Sequence, residues 1–159
     1  MVTAYEAAAA VPDPELPMVT IADLGILRDV RQDGDTVTVT ITPTYSGCPA
    51  MREIAADLRC RLEMAGYRRV DIATELSPPW TTDWITADGR RKLAEAGIAP
   101  PAGKPAAGPV PLTLSRAPVA CPRCGADDTR QIAPFSATAC KALYQCRACL
   151  EPFEYVKEF

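Results

Sequence analysis

The sequence predicts an α+β protein: a small αββαβα domain with a mixed sheet, followed by a four-cysteine zinc ribbon. Helical and alternating apolar patterns follow one another through the N-terminal part of the chain. A proline-rich stretch with neither pattern comes next, and two C-x-x-C motifs lie near the end. We therefore expect a domain over residues 1–98, a linker over 99–118 and a ribbon over 119–159.

The first elements are a short helix and a hairpin. Residues 4–11 are alanine-rich and predict a helix, which the prolines of residues 12–17 end. Residues 27–41 predict a β-hairpin, because Asp33-Gly34 supplies the positive φ angles of a tight turn. Valine or isoleucine alternates with threonine along its second strand, which predicts a sheet with one covered face.

A βαβ unit and a last short helix complete the first domain. Pro49 suits the first turn of a helix, an apolar stripe runs from Met51 to Ala65, and Gly66 ends it. Residues 70–76 alternate again, so the helix should cross between two parallel strands with right-handed geometry. Residues 87–96 predict the last helix.

Composition excludes several classes of function. Net charge is −3, which gives no general attraction to nucleic acid or anionic lipid, and no apolar run reaches the length of a membrane span. The N-terminus lacks the basic region of a secretory signal, so the expected compartment is the cytoplasm. The chain has no histidine and no nucleotide-binding motif, so we do not expect an enzyme.

The C-terminal cysteines predict a structural metal site. Cys121 and Cys124 form one knuckle, and Cys146 and Cys149 form the other, at a spacing close to that of zinc ribbons. Zinc is the expected ion, although a rubredoxin-like iron centre uses similar turns. Five basic and five acidic residues cancel within the ribbon, which favours docking on protein over binding to nucleic acid.

Cys140 and the two tryptophans have two interpretations each, and Cys60 has one. Cys140 lies between the knuckles and is either a small packing thiol or an exposed thiol that hands on metal or sulfur. Cys60 lies opposite the apolar stripe of its helix, which predicts an incidental surface thiol. Trp80 and Trp84 favour a place in the core over contact with a partner.

Cys48 is the candidate functional thiol of the first domain. It precedes Pro49, so we expect it to be the N-cap of the helix, where the dipole lowers the pKa of a thiol. Its loop follows a strand of an open sheet, where ligands usually bind. The candidate supporting residues are Asp13, Glu15, Asp23 and Thr44, with the three carboxylates as oxygen donors. The alternative is that Cys48 fills a tight turn and Asp13 caps one.

The whole chain resembles the PaaD family of accessory proteins of bacterial phenylacetyl-CoA epoxidase. The motifs that carry the resemblance are Asp13-Pro-Glu15-Leu-Pro17, Asp23-Leu-Gly-Ile26, Thr42-Pro-Thr-Tyr-Ser-Gly-Cys-Pro49, Trp80-Thr-Thr-Asp-Trp84 and the ribbon with Cys140-Lys-Ala. The first domain is also similar to SufT-type iron-sulfur maturation factors, in which the cysteine matching Cys48 is the functional thiol. The resemblance implies a role in supplying or repairing a metal centre of the epoxidase during aerobic phenylacetate degradation.

The resemblance leaves the client open between two epoxidase subunits, a di-iron oxygenase and a reductase with flavin and a [2Fe-2S] cluster. We expect the reductase, with the oxygenase as the alternative. A cluster takes four cysteine ligands, so Cys48 must share it with a second protomer, borrow ligands from the client, or pass iron or sulfur transiently. A thiol-dependent enzyme using Cys48 and a ribbon-bearing transcription adaptor are the rival hypotheses.

Overall fold

The computed structural model describes residues 2–102 and 118–159. The chain divides into two compact units, Met1–Gly89 and Arg90–Phe159. Residues 103–117 of the predicted linker lie outside the described residues, and the predicted domain bounds stay a prediction. No helix among the described residues is long and apolar enough to cross a membrane.

The element order confirms the predicted αββαβα arrangement. The elements are α1 (Ala4–Ala9), β1 (Leu27–Asp33), β2 (Thr36–Ile41), α2 (Ala50–Met64), β3 (Arg69–Thr74), a 3₁₀ turn (Thr82–Trp84) and α3 (Ala87–Glu95). Helix α1 begins with a capping box in which the Thr3 hydroxyl accepts from the Glu6 N–H and the Glu6 carboxylate accepts from the Thr3 N–H.

The sheet of the first unit is mixed, as the sequence predicts. Its order is β1-β2-β3, with β1 antiparallel and β3 parallel to β2. The hairpin turn lies one residue later than predicted, because Asp33 still pairs with Thr36 and only Gly34 and Asp35 form the loop. Gly34 has a φ angle of 57°, which a residue without a side chain adopts easily.

Helix α2 and strand β2 both contribute to the core of the first unit. Val37, Val39 and Ile41 are buried along one face of β2, while the threonines between them are half-buried. The apolar stripe of α2 is buried at Ala50, Ile54, Leu58 and Leu62. Each pattern therefore marks a buried face of its own element, and the buried face of β2 fixes the register of the strand.

The second unit is a four-stranded sheet. Its strands are β4 (Ile98–Ala99), β5 (Thr129–Ala133), β6 (Lys141–Cys146) and β7 (Pro152–Val156), in the order β4-β7-β6-β5. Strand β4 is parallel to β7, and the other neighbours are antiparallel. The ribbon sheet thus includes a short strand that precedes residue 119, where the sequence prediction begins the ribbon.

The buried core of the second unit is small. Tyr144 stacks on Phe153 with ring centroids 5.9 Å apart and meets the edge of Tyr155 at 5.4 Å. The other buried members of this cluster are Ala99, Cys121, Ala142 and Cys146. So few apolar side chains rarely stabilise a domain of this size, which makes metal ligation the expected main source of its stability.

Candidate metal centre and thiol loop

Two knuckles bring four cysteines together at one end of the ribbon sheet. Cys121 and Cys124 lie in the segment before β5, and Cys146 and Cys149 lie at the turn from β6 into β7. Their four sulfur atoms all lie within 4.8 Å of one another. The Sγ atoms are 3.8 Å apart for Cys121 and Cys149, and 3.6 Å apart for Cys124 and Cys146.

This spacing fits one tetrahedral ion. An ion about 2.3 Å from each of four sulfurs places neighbouring sulfurs about 3.8 Å apart. Four thiolates are the donor set that zinc and iron take in closed sites. The predicted grouping of the four cysteines is therefore confirmed.

The two knuckles have the same backbone hydrogen bond. The Cys121 N–H donates to the Ala126 carbonyl at 2.9 Å, and the Cys146 N–H donates to the Glu151 carbonyl at 2.9 Å. Each bond therefore joins the first cysteine of a knuckle to the residue five positions later. This common turn directs both sulfurs of a knuckle to one side.

The residue after the second cysteine has a positive φ angle in both knuckles. Gly125 has φ 74°, and Leu150 has φ 64°. The left-handed region costs a residue with a Cβ about 1 kcal/mol or more, so Leu150 is strained where Gly125 is not. The Leu150 carbonyl accepts from the Gln145 side chain at 3.3 Å, which helps to hold the turn.

The pKa values of Cys146 and Cys124 are shifted in opposite directions. The Cys149 N–H donates to Cys146 Sγ at 3.4 Å and, against the desolvation of burial, lowers the pKa of Cys146 to about 7. The Ala126 N–H lowers the pKa of Cys124, but the neighbouring thiols, first Cys146 and then Cys149, raise it to about 12. A bound ion displaces these protons, so metal affinity rises with pH.

A partly buried ion pair lies toward the opposite end of the ribbon sheet. Lys141 is 4% exposed, and its Nζ lies 2.7 Å from Glu154 Oε2. The Ser136 hydroxyl donates to the other oxygen of the same carboxylate. Burial raises the pKa of Glu154, but the hydrogen bonds from Lys141 and Ser136 and the Lys141 charge together lower it by more, so the net direction is down.

The loop before β6 is attached to this ion pair. The Ser136 N–H donates to the Lys141 carbonyl at 3.0 Å, and the Lys141 N–H donates to the Thr138 carbonyl at 3.3 Å. Cys140 ends this loop; its Sγ lies 3.1 Å from the Thr138 hydroxyl, and its carbonyl accepts from the Lys157 N–H at 3.0 Å. Cys140 is half-buried, and its role as a reactive thiol stays a prediction.

Replacing Glu154 with glutamine should destabilise the second unit by about 3 kcal/mol, because Lys141 is left buried without its counter-charge. Urea unfolding of the metal-loaded protein measures this. The matched control is Glu151→Gln, whose partner Arg123 is exposed, and its cost should stay below about 1 kcal/mol. If the two substitutions lower the free energy of unfolding equally, burial of Lys141 adds nothing to the stabilisation by its ion pair.

The same ion pair has a defined pH dependence. The pKa of Glu154 is lower in the folded protein than its usual 4.5, so the unfolded chain takes up the proton first as the pH falls. The stabilisation is therefore full above pH 4.5 and disappears as the pH falls below it toward the folded pKa. Glu154→Gln should remove that part of the acid dependence.

The Cys48 loop joins β2 to α2. Helix α2 begins at Ala50, and Pro49 occupies its N-cap position with φ −67° and ψ −26°. The sequence predicts Cys48 as the N-cap, but Cys48 lies one residue before the N-cap, because the proline ring already sets a helical φ angle. The Cys48 N–H donates to the Tyr45 carbonyl at 3.2 Å, and both Cys48 and Thr44 are half-buried.

Three segments meet at the edge of the sheet where Cys48 lies. Leu27, which begins β1, and Thr74, which ends β3, both pair with Ile41, the last residue of β2. The segments at this edge are 21–26 before β1, 42–49 after β2 and 75–79 after β3. Because β2 is the central strand, the Cys48 loop leaves the sheet between the other two segments. This is the carboxyl edge of the parallel pair, where ligands bind in open sheets.

The buried carboxylates beside this edge form turns. Asp13 is 5% exposed, and its Oδ1 accepts from the N–H groups of Glu15 at 2.9 Å and Leu16 at 2.8 Å. Asp23 is 9% exposed, and its Oδ2 accepts from the Thr20 N–H at 2.9 Å. These bonds are the capping role that the sequence offered as the alternative for Asp13.

The structure does not bring the carboxylates and Cys48 into one ligand group. Across residues 2–102 and 118–159, the ribbon cysteines are the one set of three or more Cys, Asp or Glu side chains whose ligand atoms converge within 4.8 Å. Glu15 is half-buried in the turn that Asp13 caps. A joint role of Asp13, Glu15 and Asp23 with Cys48 stays a prediction.

The tryptophans hold the 21–26 segment in place. Trp80 is buried, and its indole N–H donates to the Leu24 carbonyl at 2.9 Å. A Cβ at Gly25 would come within 2.5 Å of the Trp84 Cβ, so only glycine fits there. The Arg28 guanidinium lies 3.5 Å from the centre of the Trp84 ring. The expected core position is confirmed for Trp80, and Cys60 is exposed as expected.

Sequence reasoning missed three features of these sites. The Lys141–Glu154 pair joins adjacent strands, and no local pattern marks it. Leu150 has a positive φ angle, which a glycine in the sequence would have indicated, but this position is a leucine. Leu76 is exposed beside the Cys48 loop, and the alternating pattern of β3 alone assigned it to the strand.

Known protein families match both parts of the chain. An iron-sulfur cluster assembly protein family matches residues 3–72, and the PaaD zinc beta ribbon domain matches residues 106–157. A domain of unknown function, DUF59, from Bacillus anthracis has a crystal structure that is 29% identical, with a TM-score of 0.52. That similarity covers 57% of this chain and 87% of the DUF59 chain.

Two named proteins are similar to the chain in sequence. A protein of Escherichia coli K12, named as a putative component of 1,2-phenylacetyl-CoA epoxidase, is 46% identical over 147 residues, which cover 92% of this chain and 86% of that protein. An Fe-S protein maturation auxiliary factor of Porphyromonas gingivalis W83 is 36% identical over 83 residues, which cover 51% of this chain and 78% of that factor.

The fold and the sites define a class of protein: an iron-sulfur-assembly type α+β domain followed by a four-cysteine metal ribbon. Within this class the similarity to the Escherichia coli epoxidase component extends over both parts of the chain. The chain belongs to the PaaD family.

Proposed function

We propose that this protein is a maturation factor that supplies or repairs an iron-sulfur or other metal centre of phenylacetyl-CoA epoxidase in aerobic phenylacetate degradation. The names of its two relatives, an epoxidase component and an Fe-S maturation auxiliary factor, support the proposal. The observation that carries it is the place of Cys48, a thiol on the central loop at the carboxyl edge of the assembly-type sheet.

Cys48 acts as one ligand in a shared complex. A thiolate binds iron directly, but a cluster takes four cysteine ligands, so one chain supplies only part of the set from this loop. A second protomer or the client supplies the remaining ligands, or Cys48 passes iron or sulfur on transiently. The role is that of an accessory protein, because ligand exchange requires neither a general base nor a nucleotide.

The ribbon has a structural role in this proposal. Zinc is the proposed ion, since it has no redox chemistry and prefers a closed tetrahedron of thiolates. The balanced charge of the ribbon favours docking on a protein over binding to nucleic acid. The proposed compartment is the cytoplasm, where reducing conditions keep the seven cysteines available as thiols and metal ligands.

The proposed client is the reductase subunit and its [2Fe-2S] centre. A soft thiolate suits the handling of iron-sulfur clusters, which cysteine thiolates bind. A di-iron carboxylate site takes carboxylate and imidazole ligands, and this chain has no histidine to imitate them. The buried carboxylates of Asp13 and Asp23 are at least partly used in turns, which also favours the cluster as cargo.

The test is to express the reductase subunit with and without this protein and to measure its cluster by visible absorbance and labile sulfide. We expect a cluster-poor reductase in its absence and a full cluster in its presence. The oxygenase subunit, expressed in the same two ways and analysed for iron, is the control. A full reductase cluster beside an iron-poor oxygenase in the absence of this protein would assign the di-iron site as the client.

A further inference from the structure

The sulfur contacts of the ribbon site join one knuckle to the other. Cys121 Sγ lies 3.8 Å from Cys149 Sγ, and Cys124 Sγ lies 3.6 Å from Cys146 Sγ. The two pairs are nested along the chain, because Cys124 and Cys146 both lie between Cys121 and Cys149. They share no cysteine, so both pairs can form a covalent bond at the same time.

Each of these pairs combines one exposed thiol with one buried thiol. Cys124 and Cys149 are exposed, whereas Cys121 is 2% exposed and Cys146 is fully buried. A dissolved oxidant reacts first with an accessible thiolate. In both pairs a buried sulfur then lies next to the oxidised one, in position to react with it.

Contacts other than metal ligation also join the two knuckles. Arg123, inside the first knuckle, lies 2.9 Å from Glu151, which follows the second. Arg147, inside the second knuckle, lies 3.7 Å from Asp128, which follows the first, and its N–H donates to the Asp128 carbonyl at 2.8 Å. The ion pairs are exposed and contribute little to stability. They need no bound ion, however, so they favour bonds between the knuckles when the sulfurs are oxidised in place.

We propose that the ribbon is a reversible peroxide-sensitive switch, in which oxidation releases the bound ion and forms the disulfides Cys121–Cys149 and Cys124–Cys146. The switch is independent of Cys48 and of the client. From the proposed function it takes only the structural ion that the four thiolates hold. The oxidised ribbon stays folded without metal, and reduction restores the site.

Hydrogen peroxide is the oxidant, and each pair reacts in two steps. The exposed thiolate attacks a peroxide oxygen, the O–O bond breaks, and a sulfenic acid forms with release of hydroxide. The buried thiolate then attacks the sulfenic sulfur, forms the S–S bond and displaces a second hydroxide. Each pair loses two electrons to one peroxide, so two peroxides convert four thiolates into two disulfides and four hydroxide ions. The ion leaves because thiolates, and not disulfides, are its ligands.

The two disulfides replace the ion as the source of stability. Small domains with few buried apolar side chains are stabilised either by metal or by disulfides. The paired cysteines are 28 and 22 positions apart, and the stabilisation by a disulfide rises with the length of the loop that it closes. Both bonds tie the segment before β5 to the turn between β6 and β7. Bonds within each knuckle would leave these two segments unlinked, so only bonds between the knuckles predict a folded ribbon without metal.

The experiment treats the zinc-loaded, full-length protein with hydrogen peroxide and follows the release of zinc with a colorimetric indicator. Remaining thiols are then alkylated, and disulfides are identified by mass spectrometry of unreduced tryptic peptides. Trypsin cleaves after Arg123, Arg130, Lys141 and Arg147, which places the ribbon cysteines and Cys140 on five different peptides, so every pairing is distinguishable.

We expect full release of zinc, the two disulfides between the knuckles, and a 118–159 region that resists limited proteolysis. Dithiothreitol with added zinc should restore the thiols and the bound ion. The comparison is the same protein stripped of zinc by a chelator under reducing conditions, whose 118–159 region should be cleaved readily. Cys60→Ser is the control variant and should behave as the unaltered protein does, because its thiol lies outside the ribbon.

Several results would overturn the switch. These are disulfides within a knuckle, a Cys124–Cys149 bond, bonds to Cys140, zinc retained in excess peroxide, and oxidation to sulfinic acids in place of disulfides. Rapid proteolysis of the oxidised ribbon, or a changed outcome in Cys60→Ser, would also contradict it. None of these results involves the cluster of the client, so the proposed maturation function is tested separately.

Discussion

Cys121→Ser and Cys149→Ser should each unfold the second unit and leave the first unit folded. The ribbon core is a small aromatic and cysteine cluster, and Cys121 itself is buried within it. A structural zinc ion in a small metal domain contributes about 10–16 kcal/mol of apparent binding free energy, which is more than such a core can replace. The first unit has its own buried side chains on α2 and β2, so we expect its fold to survive loss of the ribbon metal.

Two signals distinguish the units during unfolding. Both tryptophans of the chain, Trp80 and Trp84, lie in the first unit, so tryptophan fluorescence reports that unit alone. Limited proteolysis and elemental analysis report the second. We expect one zinc per chain in the unaltered protein, no bound zinc in the variants, cleavage within 118–159, and an unchanged tryptophan transition.

Cys60→Ser is the matched control for the ribbon variants. Its thiol is exposed on α2, and its Sγ lies 3.9 Å from Met64 Sδ, so its removal should change neither metal content nor proteolysis. Iron in place of zinc would contradict the identity of the ion. Metal retained after both knuckles are broken by substitution would contradict the four-thiolate site itself.

The parts of the fold that the sequence predicts are those with a local signal. Alternation along β2 and the apolar stripe of α2 each specify one buried face, and the structure buries both faces. The C-x-x-C spacing likewise predicts a shared ion, because each knuckle places two sulfurs on one turn.

The parts that the sequence does not predict depend on pairing between distant segments. Strand β4 is two residues long, and only its pairing with β7 makes it a strand. Lys141 and Glu154 are diagonal neighbours on β6 and β7, because Lys141 pairs with Val156 and Glu154 pairs with Leu143. A lysine or glutamate in a strand ordinarily suggests a solvent-facing position. The N-cap of α2 is Pro49 and not Cys48, since a proline in helical conformation leaves Cys48 outside the helix.

The neighbourhood of Cys48 was predictable in part. The strand-to-helix loop follows from the pattern, and its place on the central strand follows from the βαβ unit. The segments beside it follow from the register, in which Ile41 pairs with both Leu27 and Thr74. Sequence spacing contains no information on that register, so the exposed Leu76 beside the loop was not foreseen.

We expect Cys48→Ala to leave the fold intact and to abolish the proposed support of epoxidase activity. Cys48 is half-buried on the loop before Pro49, the N-cap of α2, so the change in unfolding free energy should stay within about 1 kcal/mol. Its thiolate is the proposed metal ligand, and alanine supplies none. The measurement compares the tryptophan unfolding transition with growth on phenylacetate of a strain that depends on this protein.

Cys60→Ala is the control and should grow normally, because that thiol lies on the exposed side of α2. Cys48→Ser should fail as well, since a hydroxyl is a poor ligand for iron-sulfur centres. Normal growth of the Cys48→Ala strain would show that the thiol is not the working group of this domain.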